Sequence, residues 1–251
     1  MKYSVVSPQE NFRGLSYGCW AGIWWNWLFS DEPDIYRGDM LFLRGNIDYK
    51  SVGEGGPVHI DPKSFLDRTG KKGVKIFENT PIFFPVSNTV FRIGLDLFDG
   101  RLLDTEQDAH LAGIRDNQES KAMWATISSN GNKPRKIVNN LQDYLVESSL
   151  FDLKISDKSP IRKMMPVALE AGTFTSITVG YYILIRSLAP STYRIRFGTN
   201  GRGAYHTDAV YDITVQGKKK LPVDDSHKYV SAWKRTRNSW HKENPSCKDR
   251  K

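Results

Sequence analysis

The segment from Thr175 to Val215 constrains this chain most. Thr175–Ile185 (TSITVGYYILI) is β-branched and aromatic, Tyr193–Phe197 (YRIRF) alternates apolar with basic residues, and Ala209–Val215 (AVYDITV) alternates again. Turn chemistry separates them: Leu188-Ala189-Pro190-Ser191 after the first, and the glycine-rich Gly198–Gly203 after the second. In YRIRF the period of two puts Arg194 and Arg196 together on the wet face. Short strands at roughly ten-residue spacing with such turns are the pattern of a sandwich.

Upstream signals extend this pattern. Met40–Leu43 reads as a short buried strand, Val74–Phe77 alternates, and IFFPV carries Pro85, which signals an edge strand, a bulge or a strand end. Phe91–Phe98 reads as a strand closed by Asp99-Gly100. Met123–Ser128, with Asn130-Gly131 as its hairpin turn, then Lys136–Val138 and Tyr144–Ile155 continue the series, and Ser159–Pro166 is a loop. Leu103–Met123 reads as a polar surface helix capped by Asp104. The expectation is a mainly β chain: an antiparallel β-sandwich, jelly-roll-like or Ig-like, with one or two peripheral helices. Its strands include 174–186, 192–198 and 208–216.

Near the start, YGCWAGIWWNWLF places Trp20, Trp24 and Trp27 at helical spacing, with Trp25 off that stripe. A helix from Ser16 to Phe29 that lays this stripe on a sheet is the first reading. An aromatic platform for a ligand is the second. The expected organisation is a segment 1–37 packing on the sandwich, a domain 38–216, and an arm 217–251.

Charge sets the arm apart. The chain has 36 Lys/Arg and 28 Asp/Glu. From Gly217 onward there are 11 basic and 4 acidic residues, which leaves 25 and 24 in the body. The basic character therefore belongs to the arm. There Lys218, Lys219, Lys220, Lys234, Arg235 and Arg237 are candidate charge contacts, and Tyr229, Trp233 and Trp240 candidate anchors. Such an arm suits a neighbouring subunit, nucleic acid or another polyanion.

The residues also resemble a largely uncharacterised family of β-sandwich proteins, many secreted by bacteria and archaea. The matching parts run in order: YGCWAGIWWNWLF, MLFLRG, NTPIFFPVSN, NLQDYLVESSLFDLKI, VGYYILIRSLAPSTYRIRFG and AVYDITV, over most of residues 16–216. The resemblance implies the fold and carries over no catalytic residue. This chain departs from the family in its leader and cysteines, and at Pro190-Ser191, where members have Pro-Gly. A leaderless member with a basic arm resembles a part of a virus particle or another large assembly.

Chemistry-bearing patterns are sparse. His59 with Asp61, His206 with Asp208, and Asp108 with His110 fall at i, i+2 and are the candidates for a metal; none carries an H-E-x-x-H or EF-hand pattern, so no metal or cofactor is expected. Gly53, Gly55 and Gly56 lack the G-K-[ST] ending of a phosphate loop, and no G-x-S-x-G elbow occurs. A carboxylate pair such as Asp96 and Asp99 could serve a hydrolase only at the right separation. Cys19 and Cys247 are too few for a disulfide scaffold and read as two unpaired thiols, Cys19 as a packed small hydrophobe. They suit a reducing compartment. The first residues turn polar before an apolar core forms, so no signal peptide is read. Trp20–Phe29 is too short to span a bilayer. The combined expectation is a non-enzymatic structural or assembly protein, such as a minor capsid component, made in the cytoplasm and carried into a virion. The rivals are a carbohydrate- or other ligand-binding module and, behind it, a hydrolase.

Overall fold

A computed structural model of the chain describes residues 3–31, 36–37, 40–45, 74–120, 122–162, 169–200 and 206–217. Strands dominate, in two larger sheets. The longest strand, β12 (Gly172–Leu188), organises the first. Along one edge it pairs in turn with β11 (Phe151–Ile155), β10 (Leu145–Glu147) and β1 (Tyr3–Val5), and along the other with β5 (Ile82–Arg92). Beyond β5 lie β3 (Met40–Phe42) and β2 (Tyr36–Arg37), completing seven strands. The second sheet has five, in the order β4 (Val74–Phe77), β14 (His206–Gln216), β13 (Ser191–Asn200), β8 (Ala122–Ser129), β9 (Arg135–Lys136).

The continuous apolar run in β12 has a direct cause: both of its faces are covered. Tyr181, Ile183 and Ile185 join Ile195, Phe197 and Ile213 of the five-stranded sheet in one buried cluster. Ile177 and Val179, on the same face, instead meet helix α2 (Glu106–Gln118). Tyr182 and Leu184 face the other way, into the cluster of helix α1 (Tyr17–Leu28). A strand buried on both sides has no polar phase to alternate with.

Helix α1 begins at Ser16, whose hydroxyl accepts from the Cys19 amide at 3.3 Å. Its indoles find polar partners inside the core: Trp20 Nε1 donates to the Phe12 carbonyl at 3.1 Å and Trp24 Nε1 to that of Leu43 at 2.8 Å. Asn26 on the same helix donates to the Asp152 carbonyl and accepts from the Lys154 amide, which satisfies part of β11.

Several sequence expectations change. Two strand pairs are parallel, β3 with β5 and β4 with β14. The chain leaves β4 in one sheet and enters β5 in the other through Asn79 (φ 66°), so no hairpin forces those neighbours to run antiparallel. Pro85 marks a bulge rather than an edge: the register shifts beside it, within a strand flanked on both sides. Phe91–Phe98 is not one strand. Gly94 (φ 72°) breaks it, and β6 (Leu97–Phe98) and β7 (Arg101–Leu102) form a separate hairpin through Asp99-Gly100. Tyr144–Ile155 is split at Ser148, whose hydroxyl accepts from the Thr178 amide in place of a ladder carbonyl. Helix α2 is shorter than Leu103–Met123, and its cap is Thr105, not Asp104: the Thr105 hydroxyl accepts from the Asp108 amide. Finally, Cys19 is not a free thiol but is disulfide-bonded. The reading of a reducing compartment thereby loses its basis. Cys247 lies outside the described residues.

Candidate functional site

The aromatic platform, the second reading of the N-terminal segment, does not form. Trp20, Trp24, Trp25 and Trp27 are 0%, 2%, 8% and 2% exposed. Trp25, off the helical stripe, is buried as well, because β12 supplies it with acceptors: its Nε1 donates to Thr178 Oγ1 at 2.8 Å and Tyr182 Oη at 3.2 Å. The same cluster holds Asn88 Nδ2, 3.1 Å from Tyr182 Oη. Burial pushes the Tyr182 phenol up to about 12, against the opposing pull of the hydrogen bonds it accepts from Asn88 and Trp25. This is a structural network with every hydroxyl engaged.

A different surface gathers polar and aromatic groups. The five-stranded sheet has one face in the shared core and the other open. Alternation brings Trp124, Thr126 and Ser128 of β8, Arg194 and Arg196 of β13, and Asp208, Val210 and Asp212 of β14 to that open face. Register lines them up in rows: Trp124–Gly198–Asp208, Thr126–Arg196–Val210 and Ser128–Arg194–Asp212. Together with Pro134, most of these residues line a shallow cleft of about 710 Å³.

Two features give the cleft its character. First, each arginine is forked onto a carboxylate. Arg194 Nε and Nη2 donate to Asp212 at 2.7 and 2.9 Å, and Arg196 Nε and Nη2 to Asp208 at 2.8 and 2.6 Å. These hydrogen bonds raise both guanidinium pKa values and fix both planes. Second, Trp124 lies over Gly198. A methyl carbon on residue 198 would sit 2.8 Å from Cζ2 of the indole and 1.8 Å from the Thr207 carbonyl oxygen. Glycine there leaves room for the indole to approach the neighbouring strand. The floor is thus indole, proline ring and valine carbon, framed by two hydroxyls and two neutralised ion pairs.

The other sequence candidates are dispersed. Asp208, read as a metal candidate with His206, is held by Arg196, and His206 opens β14. Asp108 accepts from the Thr105 hydroxyl at the start of α2, while His110 Nε2 meets the Ser148 carbonyl at 2.9 Å. Asp96 pairs with Arg92, and Asp99 with Arg115 at 3.2 Å, so the imagined hydrolase pair is tied up in separate ion pairs. Among the described residues no three His, Cys, Asp or Glu side chains gather as metal ligands, and no helix is long and apolar enough to cross a membrane. His59, Asp61 and the arm residues Lys218, Lys219, Lys220, Tyr229, Trp233, Lys234, Arg235, Arg237 and Trp240 lie outside the described residues, as do Gly53, Gly55 and Gly56. Sequence reasoning passed over Trp124. Its signal was present: in MWATIS the tryptophan falls in the polar phase of an alternating strand, opposite Met123, Ala125 and Ile127.

No family model, curated protein or solved structure matches this chain, so the resemblance drawn from its motifs stands on those residues alone.

Proposed function

We propose that the chain is a non-enzymatic recognition module, a sandwich of jelly-roll or Ig type that meets its partner through the open face of the five-stranded sheet. One observation carries this reading: the cleft in which Trp124, packed over Gly198, stands beside two forked Arg–Asp pairs. Fixed polar groups around an apolar floor are the ordinary make-up of a binding site, and the volume falls within the range of about 300–1,000 Å³ usual for such sites. The acid–base candidates support the non-catalytic part of the reading. Asp96, Asp99 and Asp208 each serve an arginine, so their carboxylates are committed to structure.

The test follows the indole N–H resonance of Trp124 in the full chain through three titrations: soluble neutral oligosaccharides, a polyanion (heparin or a single-stranded oligonucleotide), and the protein itself across a concentration series. A selective shift of Trp124 and its neighbours in any one series supports recognition through this face. Silence in all three refutes it.

A further inference from the structure

We infer that the hairpin joining β8 to β9 forms a second site, which binds a phosphomonoester through Lys133 and Arg135. The inference is independent of the reading of the open face.

Charge is the first sign. No Asp or Glu occurs from Ser120 to Gln142, a stretch that holds Lys121, Lys133, Arg135 and Lys136. Elsewhere the arginines are answered by acids: Arg92, Arg115, Arg186, Arg194 and Arg196 each meet a carboxylate at 2.5 to 3.2 Å. Among the described residues the side chains of Lys133 and Arg135 have neither an ion pair nor a hydrogen bond.

Local backbone brings these two cations to one side. A residue before proline is pushed into extended backbone, and side chains two apart in extended backbone share a face. Lys133 and Arg135 flank Pro134 in this way. They line a cleft of about 340 Å³ with Ser129 and Asn132, while Pro134 lines the cleft of the open face. Register agrees: Arg135 lies opposite the core residue Ile127, and Lys136 opposite Thr126 of the open face.

The frame beneath the cleft is fixed. Asn130 (φ 50°) and Gly131 (φ 75°) make the left-handed turn of a two-residue hairpin. The Asn132 amide donates to the Ser129 carbonyl at 3.0 Å and the Asn130 amide to that of Thr192 at 3.0 Å. The Ser191 hydroxyl donates to Asn130 Oδ1 at 2.9 Å, which ties the turn to β13. From the seven-stranded sheet, the Tyr3 hydroxyl donates to the Lys136 carbonyl at 3.1 Å. A frame already ordered lowers the cost of binding. Protection of a sheet edge accounts for cations on β9. It does not account for their convergence with a serine and an asparagine in one concave place.

Donor chemistry then selects the ligand. The Arg135 guanidinium offers a planar fork for two oxygens of a phosphate, and the Lys133 ammonium a point charge with three donors. The Ser129 hydroxyl and the Asn132 amide add neutral donors. No acidic residue is among those lining the cleft. Two cations match the charge of about −1.5 to −2 on a phosphomonoester at neutral pH, whereas a phosphodiester carries a single charge. The volume stands at the lower end of the range of about 300–1,000 Å³ usual for small-molecule sites, which leaves room for part of the group that bears the phosphate.

The full chain, isotopically labelled, is titrated at constant ionic strength with inorganic phosphate, glucose 6-phosphate and dimethyl phosphate. The backbone amides of the hairpin are followed. We expect saturating shifts confined to residues 129–136, with the monoester bound roughly tenfold more tightly than the diester. Lys133→Ala and Arg135→Ala should each weaken binding roughly tenfold, the scale of one charge-assisted hydrogen bond. Arg135→Lys should weaken it too, because the fork is lost. Lys75→Ala, at an exposed position of β4, should change nothing. All three positions are exposed, and an unchanged amide spectrum away from each substitution checks the fold. Three outcomes overturn the inference. Absent or non-saturating shifts, or an equal loss in Lys75→Ala, reduce the effect to general screening. Saturating binding that survives both alanine substitutions puts the site elsewhere in the chain. A diester bound as tightly as the monoester removes the doubly charged ligand. None of these outcomes touches the reading of the open face, which is tested at Trp124.

Discussion

Tyr182 makes the stability of the protein sensitive to base in a way that one substitution isolates. The phenol is fully buried between β12 and α1. Thr178 has a single hydroxyl proton, and it goes to the Thr89 carbonyl at 2.7 Å. The 2.8 Å contact between Thr178 Oγ1 and Tyr182 Oη therefore uses the tyrosine as donor. Ionising Tyr182 removes that donor and sets a buried phenolate against an acceptor. Burial first, and despite its other hydrogen bonds, holds the folded-state pKa up near 12, against 10.0 for the free group. The sign follows. A raised phenol pKa means the folded state keeps a proton that the unfolded state has lost. The contribution is whole below about pH 10 and drains away as pH rises toward the folded value. At about 1.4 kcal/mol per pH unit, the loss totals roughly 3 kcal/mol by pH 12.

Tyr182→Phe is the matched perturbation. Near neutrality it forfeits the bonds to Thr178 and Asn88, at a cost of about 1–3 kcal/mol. Tyr17 and Tyr211 are also raised by burial and titrate alike in both proteins. Their effect cancels in the comparison. Urea unfolding, followed by tryptophan fluorescence in steps from neutral pH to about pH 12, should show the wild type more stable at first. The two curves should then converge, and cross if the neutral-pH cost is at the low end of its range. A constant difference across the whole series would refute the assignment of a raised, fold-coupled titration to Tyr182.

Trp24→Ala should cost about 3–5 kcal/mol in the same unfolding assay, since it empties a buried site and strands the Leu43 carbonyl; a loss under about 1 kcal/mol would contradict the packing of α1. Gly113→Ala should destabilise by about 1–3 kcal/mol although alanine is the better helix former: the new methyl would stand 2.6 Å from Val179 Cγ2 and 2.7 Å from its Cβ, which no rotamer change can move. A more stable variant would show that α2 does not approach β12 this closely. Peptide mapping without reductant should recover the Cys19 peptide cross-linked and release it on reduction; direct alkylation of Cys19 in the untreated protein would count against the disulfide.

The parts of the fold legible in the sequence are those set by local period. YRIRF, AVYDITV and MWATIS each have one buried and one open face, so their alternation gives strand and facing together. What local pattern could not convey depends on partners remote in sequence. The parallel pairing of β4 with β14 joins residues near 75 to residues near 214, and nothing in VKIF marks its direction. The break at Ser148 exists because a serine hydroxyl can replace a carbonyl for the Thr178 amide, an option visible only once β12 lies alongside. Thr105 displaced Asp104 as cap for a similar reason: both residue types serve, and the extended backbone at 105 decides.

The tryptophans show why the site was harder to read than the fold. Density of aromatics drew attention to residues 20–27, yet density is what a core helix needs when α1 must cover a whole sheet face. Three of the four indoles there, those of Trp20, Trp24 and Trp25, are closed in by hydrogen bonds to Phe12, Leu43 and Thr178 that the helix itself cannot supply. Trp124 is single, and its neighbours in sequence are unremarkable. Its significance comes from position in an alternating strand, where a large apolar ring in the polar phase has no core to enter. It comes also from Gly198, some seventy residues away, which leaves the ring room against its strand. A tryptophan out of phase with its strand, facing a glycine on the next, is therefore what the proposed recognition face rests on, not a cluster in phase with its helix. That contrast rests on burial that the structure gives directly: 0–8% exposed for the four helical indoles, and a place in the cleft lining for the fifth.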